Sequence, residues 1–551
     1  MEVFDQIDAA TSHADPEIAT SCKYLLSQLT VLWARRDDPP AVKNFFARYS
    51  SFEQQQRIAQ ANQLSQLPHA EGAAALVRIA RYDPSPEVAN YAAMYLLRRD
   101  DLAATWPKEL AAVLRNEAGS SARPAVDWVR ALAVQIESPE QAVAAWGGII
   151  DRFRAQVSDS SYSETTQQQY ATLLWNLFRV GVQQADWNAA AASIDELVSA
   201  MPSAAQQTLS IAMNSAIEQQ AWPVLDHVLE NHRDKIEGAK QPLYFAAHAR
   251  FVQGREDEAQ ELANSALAAP DGQSSSQVVA DAMQIAFRLT RDNHIDWARR
   301  EYEAAIESAP PGSATHAFAC WWLADSLHDW QEDKQASEVI GKLASVLRND
   351  TTASANYRRI QSRRVFGGST ATLPSIDLIF AKEHYFLGLH HLAAGDRTEA
   401  WNSFKQACDH DSTDSDILIG MYRASEPDSA ERNMTLKKIE QLSQAIQQEI
   451  DAAPSDPVAL NHWAWLISNT TGDYDKALRF SQKSLELRPD TASFLDTLGR
   501  CYFAVGDLEN AIKYQRQAVE LEPSTRILKR QLDEFEAALA KQQGEQTPHD
   551  A

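Results

Sequence analysis

"FLDTLGRCYFAVGDLENAIKYQRQAVELEP", residues 494–523, packs two helices and their turn into thirty positions. Leu498 and Tyr502 lie four apart and Ala511 and Ala518 seven apart, so each pair shares one helix face. Gly506 breaks the pattern between them, and Pro523 closes it. Gly499, Ala511 and Ala518 are small enough for two antiparallel helices to approach closely, while Leu498 and Tyr502 fill the groove between them. The stretch therefore predicts a helical hairpin.

The hairpin recurs. Prolines close successive units at Pro454, Pro489 and Pro523, 35 and 34 residues apart. Residues 384–411, "HYFLGLHHLAAGDRTEAWNSFKQACDHD", repeat the offsets with Leu387-Gly388, Gly395, Ala400, Phe404 and Ala407; His391 takes the Tyr position and Ser412 the Pro position. This spacing resembles tetratricopeptide repeats. Gln515 departs from the family's usual aromatic, and Tyr514 is expected to fill that space. Weaker copies run back along the chain through Leu323-Ala324, Ala298 and Tyr302, Ala246-Ala247 with Gly254, and Leu177 with Ala190. Ala266, Ala305 and Leu343 are 39 and 38 apart, so the middle copies are longer.

The N-terminal part carries another repeat. "ADPEIATSCKYLL" from Ala14 and "PSPEVANYAAMYLL" from Pro84 align at an offset of 70, and both read as helix starts. Asp15 or Ser85 stands at the N-cap, Pro16 or Pro86 at the first helical position, then Glu17 or Glu87 near the positive end of the dipole. An apolar helix precedes each start, and the units resemble HEAT repeats. The chain opens inside the first unit without a polar capping helix, which predicts either a frayed first unit or a natural N-terminal part beyond this sequence.

The expected fold is all-α: a right-handed α-solenoid of antiparallel helix hairpins. Its predicted parts are HEAT-like repeats over 1–115, degenerate tetratricopeptide-like repeats over 123–345, an irregular linker over 346–380, regular repeats over 381–523, a capping helix over 524–541 and a disordered tail over 542–551.

Composition narrows the function. A formal net charge of −24 opposes a nucleic-acid partner, because a phosphate backbone would be repelled by most of this surface. No run approaches the ~20 apolar residues that a membrane span needs. The N-terminus shows no basic and apolar leader pattern, which points to the cytoplasm. Cys22, Cys320, Cys408 and Cys501 lie far apart without a CxxC and read as thiols within helices. HExxH, GxSxG, GxGxxG and GxxxxGKS/T are all missing, so no enzyme, cofactor or resident metal is expected.

Three features need weighing against plainer roles. His384 and His391 share a helix face with Cys408 or His410 within reach of the next helix, a conceivable zinc set, but the repeat pattern already gives these residues packing or surface positions. Asp409, Asp411 and Thr413 imitate a calcium loop, yet Asp414 stands where such a loop needs Gly and Gly420 where it needs Glu; capping of the next helix explains the acids better. Arg358, Arg359, Arg363 and Arg364 beside Gly367-Gly368 form a possible anion patch, although no Gly-Lys-Ser/Thr follows. A linker whose arginines pair with neighbouring carboxylates is the plainer reading.

The resemblance to tetratricopeptide repeats implies a concave face, made by the first helix of each unit, that binds a peptide segment or partner helix. It would place Lys382, Tyr385, Leu389, His462, Leu466, Asn469, Ser493, Asp496, Arg500 and Phe503 on that face. The family's cationic clamp for a chaperone C-terminus is not reproduced, since Leu466 and Asp496 occupy clamp positions. The leading expectation is thus a non-catalytic interaction scaffold for an unidentified protein or peptide. The alternatives are a regulatory or sensory segment of a larger protein and, behind it, an all-α glycan-active enzyme of the toroid kind; the closing prolines favour an open superhelix over that ring.

Overall fold

Asp186, Asp396, Asp473 and Asp507 each begin a helix by accepting a hydrogen bond from a backbone N–H three residues on. The residue before each has a left-handed backbone: Ala185, Gly395, Gly472 and Gly506. Around Gly395 and Gly506 the next amide reaches back five residues, from Asp396 to the His391 carbonyl (2.9 Å) and from Asp507 to the Tyr502 carbonyl (3.0 Å). This bond closes a helix with a Schellman turn. It recurs at Ala185, Gln220, Gly254, Asn293 and Gln331, with amide-to-carbonyl distances of 2.7–2.9 Å. The repeat is therefore written in the backbone even where the turn residue is not glycine.

The computed structural model describes residues 2–11, 13–29, 31–49, 53–67, 72–98, 108–119, 121–157, 164–269, 275–361 and 373–546. These form an all-α solenoid with 30 helices and no strand among the described residues. No helix among them is long and apolar enough to cross a membrane. The chain divides into two compact units, Met1–Pro270 and Asp271–Ala551. That boundary falls inside the stretch that spacing assigns to one run of repeats, 123–345.

In the first unit the two expected helix starts form as read: the Asp15 carboxylate accepts from the Glu17 amide (2.9 Å) and the Ser85 hydroxyl from the Val88 amide (3.3 Å). The first helix, Glu2–Ala10, is held rather than frayed. Its Asp5 receives Arg81 (2.7 Å) and its Asp8 receives both arms of Arg123 (2.8 and 2.6 Å). Arg78, only 2% exposed, pairs with Asp38 (2.8 Å) and donates to the Trp33 carbonyl (2.6 Å). Asp83, fully buried, accepts from Arg57 (2.9 Å) and the Tyr49 hydroxyl (2.8 Å). Apolar side chains from Phe4 to Leu197 pack around these pairs as one core.

In the second unit successive helices pack together, except that Asp333–Asn349 packs past Thr351–Gln361 directly on Ile376–Ala393, and the first helices of the hairpins form a row: Ser275–Arg291, Ala314–Asp329, Ile376–Ala393, Ser415–Ala424, Pro457–Ser468 and Ala492–Ala504. Close approach follows from the small residues. A Cβ on Gly388 would lie 2.7 Å from the Phe404 ring, and one on Gly499 would lie 2.9 Å from the Gln515 amide oxygen and 3.2 Å from the Ala511 carbonyl. Gln515 itself fills the aromatic's place: it is fully buried and donates to the Asp496 carboxylate (2.7 Å). Tyr514 does not take that space; it stacks on Tyr502 at 5.4 Å.

Two further expectations are corrected. The stretch 346–380 is not irregular throughout, because Thr351–Gln361 is a helix anchored by buried Tyr357, whose hydroxyl donates to the Pro374 carbonyl (3.0 Å). The terminal helix runs Arg526–Gln546, so 542–546 are helical rather than tail, while 547–551 lie outside the described residues.

Candidate binding interior of the C-terminal unit

The terminal helix decides what the last repeat can expose. Arg500 donates to Glu534 (2.8 and 2.6 Å) and to the Gln531 side chain (2.8 Å), and Phe503 stacks on Phe535 at 4.7 Å. Asp496 accepts from the Gln531 amide (2.9 Å) as well as from Gln515. Burial pushes the Asp496 carboxyl up to about 6. Asp496 and Arg500 are thus covered by the terminal helix, and Phe503 is stacked against it rather than presented as an open groove. Leu466 is likewise buried, in the core between helices. The family offsets find the right helix but not which of its faces the next helix takes.

Other predicted positions do converge. The Lys382 ammonium sits over the Tyr385 ring (4.7 Å) and near the Phe386 ring (5.7 Å). Tyr385 is buried, and burial followed by the nearby Asp416, Asp414 and Asp333 charges raises its phenol. Asn469 accepts a hydrogen bond from Arg423 (2.7 Å), and its neighbour Trp465 donates its indole N–H to Asp416 (2.7 Å). Leu389 and His462 are half-buried, and Ser493 is exposed.

Residues that spacing did not select complete the interior. Asp325 and Arg423 are open to solvent and Asp414 is half-buried. Desolvation nevertheless raises the carboxyls of Asp325 and Asp414, with Lys382 pulling both back down, and it lowers the Arg423 guanidinium, with Arg500 adding to the effect. Lys382 lies within electrostatic reach of both carboxylates, so charged groups from three first helices of the row converge here. Hydropathy periodicity carries no trace of this, since these residues are polar positions on amphipathic helices.

The terminal helix reaches back to the early part of its unit. The two carboxylate oxygens of Asp329 accept from the first two amides of the terminal helix, Arg526 (3.1 Å) and Ile527 (2.8 Å), across a sequence separation of 197 and 198 residues. Arg530 donates to the Asp329 carbonyl (2.6 Å), and Arg526 donates to Asn293 (3.1 Å). Asp329 thus caps a helix from the opposite end of its unit. The terminal helix, which follows the row of first helices, thus meets the C-terminal end of the row's second member, Ala314–Asp329.

The remaining sequence candidates resolve simply. His384 stacks on His410 at 6.1 Å, and burial lowers the His384 imidazole; Cys408 is buried, and burial raises its thiol. Asp411 accepts from the Thr413 amide and hydroxyl (2.9 and 2.7 Å) and Asp414 from the Asp416 amide (2.8 Å), so the acidic run is engaged in turns and capping. Arg358 and Arg359 lie exposed on Thr351–Gln361, whereas Arg363 and Arg364 fall outside the described residues.

Comparison with known families agrees with the hairpin geometry. Residues 460–523 match the tetratricopeptide repeat family model. No curated protein matches the chain. Among solved structures, a tetratricopeptide repeat protein from Parabacteroides merdae is 13% identical over 54% of this chain and 98% of its own, with a TM-score of 0.30. The Cut9–Hcn1 hetero-tetramer of the APC/C is 13% identical over 90% of this chain and 97% of its own, with a TM-score of 0.24. The HEAT resemblance of 1–115 finds no counterpart in the family match.

Proposed function

We propose that this chain is a non-catalytic interaction scaffold whose second unit takes a peptide segment or partner helix into its interior. The observation that carries the reading is the convergence of polar and aromatic groups from successive first helices: Lys382 over the Tyr385 ring, Arg423 on Asn469 and Trp465 on Asp416, with the Asp325 and Asp414 carboxylates in reach of Lys382. Both signs of charge are present, so a segment of alternating charge is the best-suited occupant. The tetratricopeptide repeat match over 460–523, a repeat type that builds an extended inner surface, supports the same reading.

The test compares wild type with a Lys382→Ala, Asp414→Ala, Arg423→Ala triple variant after circular dichroism shows equal helicity. Partners captured from native lysate are mapped to a minimal segment, and that segment is titrated against both proteins by calorimetry. At least about tenfold weaker binding to the variant is expected, the equivalent of about 1.4 kcal/mol. A segment bound equally by both would rule out this interior as the docking surface.

A further inference from the structure

The first unit carries a cluster of side chains with metal-ligand chemistry. Asp195 on helix Trp187–Ala200 faces His227 near the end of helix Trp222–Asn231 and His232 just beyond it. One Asp195 oxygen lies 2.8 Å from His227 Nε2 and 2.7 Å from His232 Nε2, and the three donor atoms all fall within 4.8 Å of one another. Five residues along a continuous helix would turn the two rings about 140° apart. The helix breaks at His232 instead, where φ is −125° and ψ 22°, and a short helix, Arg233–Ile236, begins at once. That corner swings the second imidazole back beside the first.

We propose that Asp195, His227 and His232 form a binding site for a divalent transition-metal ion of the zinc class, held by two imidazole Nε2 atoms and one carboxylate. Two nitrogen donors disfavour magnesium and calcium, which take oxygen shells, and the absence of thiolate from the set disfavours the softest ions. Zinc takes these three ligand types at ~2.0–2.2 Å in tetrahedral sites, which separates neighbouring donor atoms by about 3.3 Å. The present contacts need to widen by only about 0.5 Å to admit the ion.

Exposure grades across the set: the side chain of His232 is 10% exposed, that of His227 27% and that of Asp195 45%. One ligand is held firmly while the carboxylate side stays open for the ion to enter and for water to take the fourth position. The surrounding chemistry assists. The chain's charge of −24 concentrates cations near its surface.

Asn231 sits with its side-chain nitrogen 3.1 Å from His227 Nδ1 and 3.0 Å from the His227 carbonyl. Metal on Nε2 puts the imidazole proton on Nδ1, and rotating the Asn231 amide offers its oxygen to that proton at the loss of the carbonyl contact. The ion would tie helix Trp187–Ala200 to the corner at His232, two elements otherwise joined by apolar packing around Ile194, Leu225 and Val228.

The test uses tag-free full-length protein stripped with a chelator and titrated with Co(II), followed by competition with Zn(II). Wild type is expected to take one equivalent of Co(II) with the visible absorption of a tetrahedral site, to lose it to Zn(II), and to melt at a higher temperature with Zn(II) than without. Asp195→Asn keeps an oxygen for both histidines and should preserve the fold, while weakening the metal at least about tenfold; His232→Gln should abolish the cobalt spectrum. Apo-protein melting and helicity check that each variant is folded. Absence of stoichiometric binding to wild type, or a spectrum and affinity unchanged in both variants, would overturn the site.

Discussion

Charged residues serve opposite ends in the two units. In the first, Arg78, Arg81 and Arg123 are each 8% exposed or less and each meets a carboxylate with two or more hydrogen bonds, so these charges are used up in joining separate parts of the chain. In the second, Lys382 sits over the Tyr385 ring, Asp414 caps its own helix through the Asp416 amide, and exposed Arg423 reaches the uncharged Asn469. Burial with full pairing makes a charge structural; incomplete pairing leaves it available. Composition treats these residues alike, and only the third dimension separates them.

The sharpest way to break this contrast is at Asp38. Removing it by Asp38→Ala strands the Arg78 guanidinium, 2% exposed, without its carboxylate and with the Trp33 and Ala74 carbonyls as neutral acceptors. Losing one partner of a buried pair costs about 3–5 kcal/mol. Chemical denaturation followed by circular dichroism should show an early loss of the first unit. A change below about 1 kcal/mol would mean that these pairs are no more structural than surface ones.

Asp496 tests the intermediate case, a buried carboxylate held by two glutamine amides with Arg500 nearby. Its folded pKa, about 6, stands above the ordinary 3.8. The folded state therefore binds this proton more tightly than the unfolded one, and stability due to the group is complete below pH 3.8 and falls as pH rises through about 6. Asp496→Asn removes that loss while keeping an oxygen for the glutamines. The melting temperature of the variant relative to wild type should accordingly rise between pH 4 and pH 7, by on the order of 1 to 3 kcal/mol in stability. A pH-independent difference would show that the carboxyl is not perturbed.

The sequence makes some of this legible and hides the rest for definite reasons. Helix starts at Asp15 and Ser85 and the hairpins about Gly395 and Gly506 follow from local rules, because N-caps and glycine turns are decided within a few residues. The matching turns at Ala185, Gln220, Asn293 and Gln331 escape notice because a left-handed backbone there falls on ordinary side chains, which tertiary packing enforces. The interior was half legible. Lys382, Tyr385 and Asn469 come from repeat offsets, but Asp325, Asp414 and Arg423 depend on how tightly the row of helices curves, and the covering of Arg500 depends on a helix that begins 26 residues later. The Asp195, His227 and His232 cluster left one faint trace, two histidines five apart, a spacing that suits no helical metal motif until the break at His232 is seen.

Arg423 gives the smallest expected effect and separates the two kinds of charge most cleanly. Its side chain is exposed, makes one hydrogen bond to Asn469 and lies in the field of Arg500, which disfavours its charge. Arg423→Ala removes a desolvated cation and leaves behind only Asn469, half-buried and able to turn to water. Thermal unfolding should therefore move by no more than about 0.5 kcal/mol in either direction, as for a surface substitution. If Arg423 were bound into the fold as Arg78 is, the loss would be several times larger, and the interior would have to be read as a second structural cluster rather than as a surface held ready for another chain.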